Sequence, residues 1–506
     1  MIREVIVGVA AVVLLAYGIE FVFAWFDDPR EPPRVKPTIP IPILGHVIGF
    51  FQHGFAYYDI LSKQNPNVEF YTIGVLNFKF YITHSPRITN QLAKSKVVSV
   101  RPFLRSAGRI HGTISEEAYA TFDGHLADHF SDRTKDAMAP GPHMDEQNLR
   151  MGQESVVEVD TLLSGNRKEM KLWEWSKNVI MQAMGVGLFG REHPFKDKEI
   201  ADAMWTWDEH RSGHIFGFDP TGKGYAARAK VMEAMKKYLQ NVPEDASQML
   251  RERQRVVLEG GIGEEDAYKL QATLSNAYFN TIPTLYWTIY EIYSRPALLE
   301  AIREEIRNKA LTQVGEDFHL NIAALQTTCS LLLSAMQETQ RIRHAQVAFR
   351  MVLEDVTIDR YRLKKGYHLH MPAKPVHWDP SIWGAHVNHF DPYRFVPEIE
   401  KRPARTQKIL PSSFLPWGAA PWLCPARQFA ATEIMIIMAL LALRVDLAPA
   451  DGSGWDHEPP LKKVEISSLA HPKLDAPLRM NPRQDGVGNW KVEIGKSKAR
   501  IVLTSG

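Results

Sequence analysis

One of the two cysteines in this chain lies between a turn-rich loop and a long apolar run, in the segment FLPWGAAPWLCPARQFAA at residues 414–431. Two cysteines cannot build a disulfide framework or a CxxC-type zinc site, and this indicates a reducing, cytosol-facing environment. Pro425 suits the first turn of a helix that continues through the apolar run. Cys424 would then lie at a helix N-terminus, where unpaired N–H groups and the helix dipole favour a thiolate. The spacing therefore predicts a cysteine that carries negative charge.

The other cysteine, Cys329, has a different setting. It shares one face of a helical pattern with Leu325, Leu332 and Met336. A free cysteine on an apolar face usually behaves as a small buried hydrophobe. We therefore interpret Cys329 as a core residue, and the same structural role is the alternative for Cys424.

A third chemical pattern is the charged pair Glu338 and Arg341 in the segment ETQR. The spacing Glu-x-x-Arg also begins at Glu31, Glu252, Glu300 and Glu304, where solvated helix faces would explain it. Glu338 differs because its helix is apolar, so its charge needs partners. Arg341 one turn later, together with Arg394 of DPYRF, can complete a buried network of three charges. We expect this network to be structural rather than catalytic.

The elements that position these residues are predicted to be mainly helical, with small β-sheets. The 506 residues are 45% hydrophobic and 10% aromatic, which is enough for a large core. Alternating residues over 68–83 predict a hairpin, whereas most later segments have helical spacing. The net charge of +2 gives no sign of nucleic-acid binding. With no second linker or internal repeat, we expect one catalytic domain over residues 49–506.

The N-terminal residues 1–26 are predicted to form a single transmembrane helix. The run from Val5 to Phe26 is interrupted only by Glu20, and its length is near the roughly 20 residues that span a bilayer. A cleaved signal peptide and a buried helix are the alternatives. A proline-rich hinge over 27–48 follows, and its basic residues place the catalytic domain in the cytosol.

The loop around Cys424 resembles the haem loop of the cytochrome P-450 superfamily, Phe-x-x-Gly-x-Arg/His-x-Cys-x-Gly. Trp417 takes the aromatic place, Ala420 the first glycine, Trp422 the basic position and Ala426 the last glycine. The resemblance implies the P-450 fold, with Cys424 as the axial ligand of haem b iron and with Trp417 and Ala420 against the haem. The tryptophan at position 422 removes one partner of a haem propionate.

The same resemblance extends along the chain through Glu-x-x-Arg, Pro-x-Arg-Phe and the strand region between them. Arg350 aligns with a position that commonly binds a haem propionate, for which a guanidinium is well suited. Its alternative is an exposed arginine on a strand. The order of anchor, hinge, hairpin, central helix and cysteine loop covers nearly the whole chain.

The central helix departs from the family pattern Ala-Gly-x-Asp/Glu-Thr, since the chain has NAYFN, Asn276 to Asn280. Phe279 stands at the acid and Asn280 at the alcohol. An asparagine amide can position water but does not donate protons near neutral pH. Thr281 could supply a hydroxyl, although it lies about 100° around the helix from Asn280. This segment is similar to the branch that contains cholesterol 7-alpha-hydroxylase, sterol 12-alpha-hydroxylase and prostacyclin synthase.

The resemblance implies a haem-thiolate monooxygenase that inserts oxygen from O2 into a lipophilic terpenoid, steroid or polyketide. The chain lacks a nucleotide-binding fingerprint, so electrons would come from a separate NADPH-dependent cytochrome reductase. We expect the endoplasmic reticulum membrane as its location and secondary metabolism, in a fungus, as its context. One alternative is a haem-thiolate isomerase or dehydratase that uses neither O2 nor reductase, as Phe279 and Asn280 would allow. Another is a non-catalytic haem-binding sensor.

Overall fold

The computed structural model describes residues 2–76, 78–165, 168–215, 217–397, 409–455, 458–462, 468–475, 477–495 and 500–504. For residues 2–10, 12 and 13 it describes the backbone alone. Helices account for most of the ordered elements, and short strands form small sheets between them. The predicted class, mainly α with small β-sheets, is confirmed.

The α-helices of the described residues are numbered in chain order. They are α1 Ile2–Trp25, α2 Gly45–His53, α3 Ala56–Gln64, α4 Pro86–Leu92, α5 Arg101–Ala107, α6 Glu116–Thr121, α7 Gly124–Ala137, α8 Pro142–Ser164, α9 Leu172–Phe189, α10 Lys198–Ile215, α11 Lys223–Gln240, α12 Gln248–Glu259, α13 Glu264–Ala272, α14 Tyr278–Tyr293, α15 Pro296–Lys309, α16 Ile322–Thr328, α17 Ser330–Arg343, α18 Ala373–His377, α19 Pro380–Trp383 and α20 Arg427–Arg444.

The strands are β1 Phe70–Val75, β2 Phe78–Thr83, β3 Val98–Ser99, β4 Glu169–Lys171, β5 Leu311–Val314, β6 Asp317–Asn321, β7 Val347–Val352, β8 Val356–Ile358, β9 Tyr361–Leu363, β10 His368–Pro372, β11 Val445–Pro449, β12 Pro477–Pro482 and β13 Asn489–Glu493. Within the described residues the largest sheet has the order β1-β2-β10-β7-β3. Its first two strands pair antiparallel from Phe70↔Thr83 to Val75↔Phe78, and this confirms the predicted hairpin.

The core is built around α8, α9, α14 and α20, which pack against one another. The sequence of α20 is apolar on every side, and its side chains from Phe429 to Arg444 are buried. A helix that is apolar all round is stable only when other elements surround it. The loop that carries Cys424 leads directly into α20, so the centre of the core fixes the position of this loop.

The predicted transmembrane segment corresponds to α1, although part of its side chains lies outside the described residues. Among the side chains that the structure does describe, no helix is long and apolar enough to cross a bilayer.

The proline-rich hinge is joined to the largest sheet by buried ion pairs. Lys79 Nζ lies 2.6 Å from Asp27 Oδ1 and 2.8 Å from Glu31 Oε2. Lys364 and the hydroxyl of Tyr81 also reach the Glu31 carboxylate, at 2.9 and 2.7 Å. The interpretation of Glu31 as part of a solvated helix face is therefore wrong, because this residue is buried and outside any helix.

Candidate active site

A cavity of about 550 Å³ lies between the cysteine loop, the central helix and α7. Four of the predicted site residues line it: Cys424, Trp417, Asn280 and Thr281. The fold thus brings together a loop and a helix that are more than a hundred residues apart in the chain. Most of the lining is apolar, which suits a lipophilic ligand.

The cysteine loop places Cys424 in the wall of the cavity. The Cys424 backbone N–H donates to the Trp417 carbonyl at 2.8 Å, so the two ends of the loop are hydrogen-bonded to each other. Burial raises the pKa of the Cys424 thiol, and the Ala426 N–H and the charge of Arg427 only partly offset this effect. The sequence-based expectation of a favoured thiolate is wrong for the protein alone, because desolvation outweighs the helix terminus. A bound metal cation would reverse this balance.

Arg350 lies on β7 behind the loop and is 4% exposed. Its guanidinium donates to the Phe349 carbonyl at 2.7 Å and to the Ala419 carbonyl at 2.5 Å. Burial lowers its pKa to about 10, and no acidic group among the described residues pairs with it. The alternative of an exposed strand arginine is wrong. A buried guanidinium with only carbonyl partners fits the predicted binding of a propionate.

Trp422, at the usual basic position of the loop, has two cations over its ring. Arg101 lies 5.2 Å and Lys135 4.9 Å from the ring centroid. Lys135 also lines the cavity. Neighbouring helices therefore place two basic side chains beside Trp422, and Asp128 and Asp132 pair with them. Ala420 is exposed and is not among the lining residues, so its contact with haem stays a prediction.

The central helix is irregular where it meets the cavity. A 3-10 segment, Thr273–Ala277, separates α13 from α14, and Pro283 lies inside α14. Proline at this position cannot donate to the carbonyl of Phe279 and its ring crowds that carbonyl. The aromatic ring of Phe279 is buried and packs against Trp205 and the guanidinium of Arg211, away from the lining. Phe279 is therefore a core residue and not part of the cavity wall.

Asn280 is held in place from the C-terminal part of the chain. Its Oδ1 accepts a hydrogen bond of 3.0 Å from the Ser468 backbone N–H, which leaves its amide N–H groups for the cavity. The Thr281 hydroxyl donates to the Ala277 carbonyl at 3.3 Å, and the Thr284 hydroxyl donates to the Asn280 carbonyl at 2.8 Å. These two hydroxyls are thus engaged with the backbone of their own helix.

The structure places Glu338, Arg341 and Arg394 together in one fully buried network. The Glu338 carboxylate accepts two hydrogen bonds of 2.8 Å from Arg341 and one of 2.9 Å from Arg394. It also accepts from the Asp391 backbone N–H at 3.0 Å. The remaining Arg341 donors reach backbone carbonyls, one of them that of His377 at 2.7 Å. Because these groups satisfy one another, the arrangement fits a structural role.

Cys329 is 1% exposed, and burial raises the pKa of its thiol to about 12. It packs within the largest apolar cluster and not at the cavity. This position agrees with the interpretation of Cys329 as a core residue.

The polar lining residues that the sequence did not predict include Gln340, His344 and Arg253. Gln340 Oε1 and His344 Nδ1 are buried without a hydrogen-bond partner in the described part of the chain. Arg253 belongs to the apolar stripe of α12, and its position there was a signal in the sequence. The buried members of that stripe are Met249, Leu250, Arg253, Val256 and Val257. Among the described lining residues none carries a carboxyl group.

Comparison with known proteins agrees with this geometry. The cytochrome P450 family model matches residues 227–473. The chain is 29% identical to the cytochrome P450 monooxygenase nodJ of Hypoxylon pulicicidum, over 99% of each chain. The chain is thus similar to cytochrome P450 monooxygenases over nearly its whole length. Its similarity to a cytochrome P450 monooxygenase of Gibberella zeae, 26% identity, covers 98% of this chain and 97% of that protein.

A shorter match relates part of the chain to an enzyme whose name describes a sterol hydroxylase. The chain is 29% identical to human 7-alpha-hydroxycholest-4-en-3-one 12-alpha-hydroxylase over 34% of this chain and 36% of that enzyme. The predicted family and its oxidoreductase class are therefore confirmed, and haem is the family's cofactor. The donor set of this P450 fits haem. It comprises a cavity-lining thiol, the buried cation Arg350 and the buried Trp417 Nε1, which has no hydrogen-bond partner among the described residues.

Proposed function

We propose that this P450 inserts one atom of O2 into a lipophilic terpenoid, steroid or polyketide, in the secondary metabolism of a fungus, with electrons from a separate NADPH-dependent reductase. The observation that carries the proposal is that Cys424 lines the same cavity as Asn280 and Thr281. Haem bound at Cys424 would supply the oxygen-activating chemistry, which a thiolate ligand favours. The relatives from Hypoxylon pulicicidum and Gibberella zeae support a fungal monooxygenase, and the human 12-alpha-hydroxylase supports a steroid-like substrate.

The apolar lining would bind the substrate and exclude bulk water. Leu104, Phe122 and Leu270 belong to this lining, which is contributed by helices on several sides of the cavity. Such a surface gives affinity through burial of apolar area and leaves the choice of position to a few polar groups. The Asn280 amide is one of these groups, and the Ser468 backbone N–H fixes its orientation.

Protons would reach the cavity through water. The described lining offers no carboxyl group, and the hydroxyls of Thr281 and Thr284 already donate to backbone carbonyls. Gln340 Oε1 and His344 Nδ1 each lack a partner within the described residues, and a water molecule bridging such groups is well held. We infer that these two side chains position water for Asn280.

The same lack of an acid supports a second candidate, an isomerase or dehydratase that acts on an oxygenated substrate without O2 or reductase. A reaction of this kind needs no protons from the protein to activate O2. Turnover that depends on both reductase and O2 supports the monooxygenase. Turnover of an oxygenated substrate in the absence of both supports the second candidate.

The first test is the carbon monoxide difference spectrum of the reduced protein with Cys424→Ala beside Cys329→Ala. We expect the wild type and Cys329→Ala to show the red-shifted Soret band of thiolate-ligated haem and Cys424→Ala to lose it. Cys329→Ala is a matched control because it removes the other thiol of the chain. A band that persists in Cys424→Ala contradicts the proposal.

We also propose that the N-terminal segment attaches the protein to the endoplasmic reticulum membrane, with the catalytic domain in the cytosol. Leu14, Leu15, Phe21 and Trp25 of α1 are exposed large apolar side chains, which supports contact with lipid. Flotation of the full chain with microsomal membranes, beside a variant lacking residues 1–26, tests this. Equal flotation of the two proteins argues against it.

A further inference from the structure

Arg253, a buried arginine of α12, lines the cavity. It is 8% exposed, and burial lowers its pKa to about 9. No acidic side chain pairs with it anywhere in the described part of the chain. An isolated buried cation costs several kcal/mol in proteins unless an anion compensates it. The fold therefore retains a charge at this position that its own residues do not neutralise.

Neutral groups hold the guanidinium of Arg253 in one orientation. Its Nε donates to Gln271 Oε1 at 3.0 Å and its Nη1 to the Thr134 hydroxyl at 3.5 Å. Its central carbon lies 4.2 Å from the centroid of the Phe130 ring. Nη2 makes no hydrogen bond to the described residues. The Nε2 group of Gln271 is buried and also unpartnered among those residues. Two neighbouring residues thus both have unused donors.

A carboxylate has the geometry that these donors need. A guanidinium binds carboxylates with charge-assisted, often paired hydrogen bonds, and a buried cation is compensated best by an anion in direct contact. The lining also provides the apolar side chains of Phe130, Leu270 and Met249. This combination favours an apolar molecule with one acidic end over a strongly charged ligand such as a diphosphate.

We propose that Arg253 binds the carboxylate of a lipophilic acid, so that the substrate of this P450 carries a carboxyl group. This inference deepens the proposed function and depends on it. Haem propionates are the other source of a carboxylate in the cavity, but Arg350 and Lys135 already lie beside the cysteine loop. Arg253 is instead bonded to Thr134 of α7 and Gln271 of α13. Because the acid end is bound at Arg253, the opposite, apolar end of the substrate is left for oxidation.

The test compares acids with neutral molecules of the same shape in the haem-loaded full-length protein. Dodecanoate is paired with dodecanol, and abietate with abietinol, and binding is followed by the change in the haem Soret band. We expect the wild type to bind at least one acid tenfold or more tightly than its alcohol. Arg253→Leu should abolish this preference, and Arg253→Lys should keep part of it. Arg255→Leu, an exposed arginine on the same helix, is the matched control and should behave as the wild type.

Several outcomes would overturn the proposal. A wild type that prefers neither acid, or an Arg253→Leu variant that keeps the preference, excludes an acid-binding role. If Arg253→Leu binds haem much more weakly than the wild type and Arg255→Leu does not, the arginine serves a propionate instead. A normal carbon monoxide spectrum with no acid preference rejects this inference alone, whereas loss of the thiolate band in the wild type rejects the proposed function.

Stability supplies a readout that needs no ligand. Because Arg253 is uncompensated in the free protein, Arg253→Leu should leave the urea midpoint unchanged or raise it. A large fall of the midpoint in this variant, with Arg255→Leu unaffected, would show that Arg253 is a structural residue, and the proposal would be wrong.

Discussion

Two groups of buried arginines in this P450 differ in whether an acidic side chain of the described residues pairs with them. Arg341 and Arg394 are fully paired with the Glu338 carboxylate and with backbone carbonyls. Arg253, which lines the cavity, and Arg350, which contacts the cysteine loop, have only neutral partners among the described residues. A charge whose partners are complete stabilises the fold, and a charge that lacks a counterion is available to a ligand. Burial alone does not distinguish the two roles, but the set of partners does.

The largest expected effect is at the paired group. Glu338→Gln leaves two buried guanidinium groups without their anion, and we expect a loss of about 3–5 kcal/mol in the free energy of unfolding. Urea unfolding of the haem-free protein measures it. Glu252→Gln is the matched control, because Glu252 and Arg255 have the same spacing but are partly exposed at the surface. If Glu338→Gln and Glu252→Gln lose the same free energy of unfolding, the buried network is no more important for stability than an exposed ion pair.

The next effect belongs to the unpaired group. Arg350→Leu should hardly change the unfolding of the haem-free protein but should speed the release of haem. Hydrogen bonds to charged groups contribute about 1.5–3 kcal/mol, which corresponds to roughly ten- to a hundredfold in affinity. Transfer of haem to an excess of apomyoglobin measures the rate. Arg360→Leu, an exposed arginine nearby, serves as the control, and unchanged haem release in Arg350→Leu would refute the distinction.

The smallest effect is expected at the ion pairs of the hinge, which add a pH dependence to the comparison. Burial raises the pKa of Glu31, but hydrogen bonds from Lys79, Lys364 and Tyr81 outweigh it and hold the pKa below its ordinary value of 4.5. Since the folded pKa is the lower one, Glu31 stabilises the protein above pH 4.5, and this contribution is lost as the pH falls through the folded pKa.

Glu31→Gln should therefore lower the free energy of unfolding near pH 7 by about 1–2 kcal/mol and flatten its fall below pH 5. Urea midpoints from pH 7 to pH 3 provide the measurement. The control Glu146→Gln removes an exposed partner of Arg150 and should keep the wild-type profile. A Glu31→Gln profile parallel to that of the wild type would show that the hinge ion pairs contribute no acid sensitivity.

Local patterns predicted the elements of the fold well. The hairpin at β1 and β2 follows from alternation, and α20 follows from the long, mostly apolar run after Pro425. The proximity of Cys424, Asn280 and Thr281 came from family resemblance, since no local pattern relates a loop to a helix so far away in the chain. The buried state of Glu31 was missed because its partners Lys79 and Lys364 lie on or beside strands far along the sequence.

Electrostatic detail was the least predictable part. A helix N-terminus favours the Cys424 thiolate, but the cost of desolvation depends on the packed surroundings and exceeds this effect. Arg253 stood in an apolar stripe, which showed that it would be buried. Its lack of an acidic partner became visible only when α7, α12 and α13 were placed around it.

The hydrogen bond from the Ser468 backbone to Asn280 Oδ1 joins two positions that are 188 residues apart. In protein engineering, these two segments should therefore be varied together. A combinatorial library that varies position 280 alone changes the cavity wall and also removes the acceptor of the Ser468 N–H, so most of its members will differ in two respects. Libraries that randomise 280 together with 468–470 should yield more active descendants, and natural lineages that replace this asparagine should show accompanying changes in that loop.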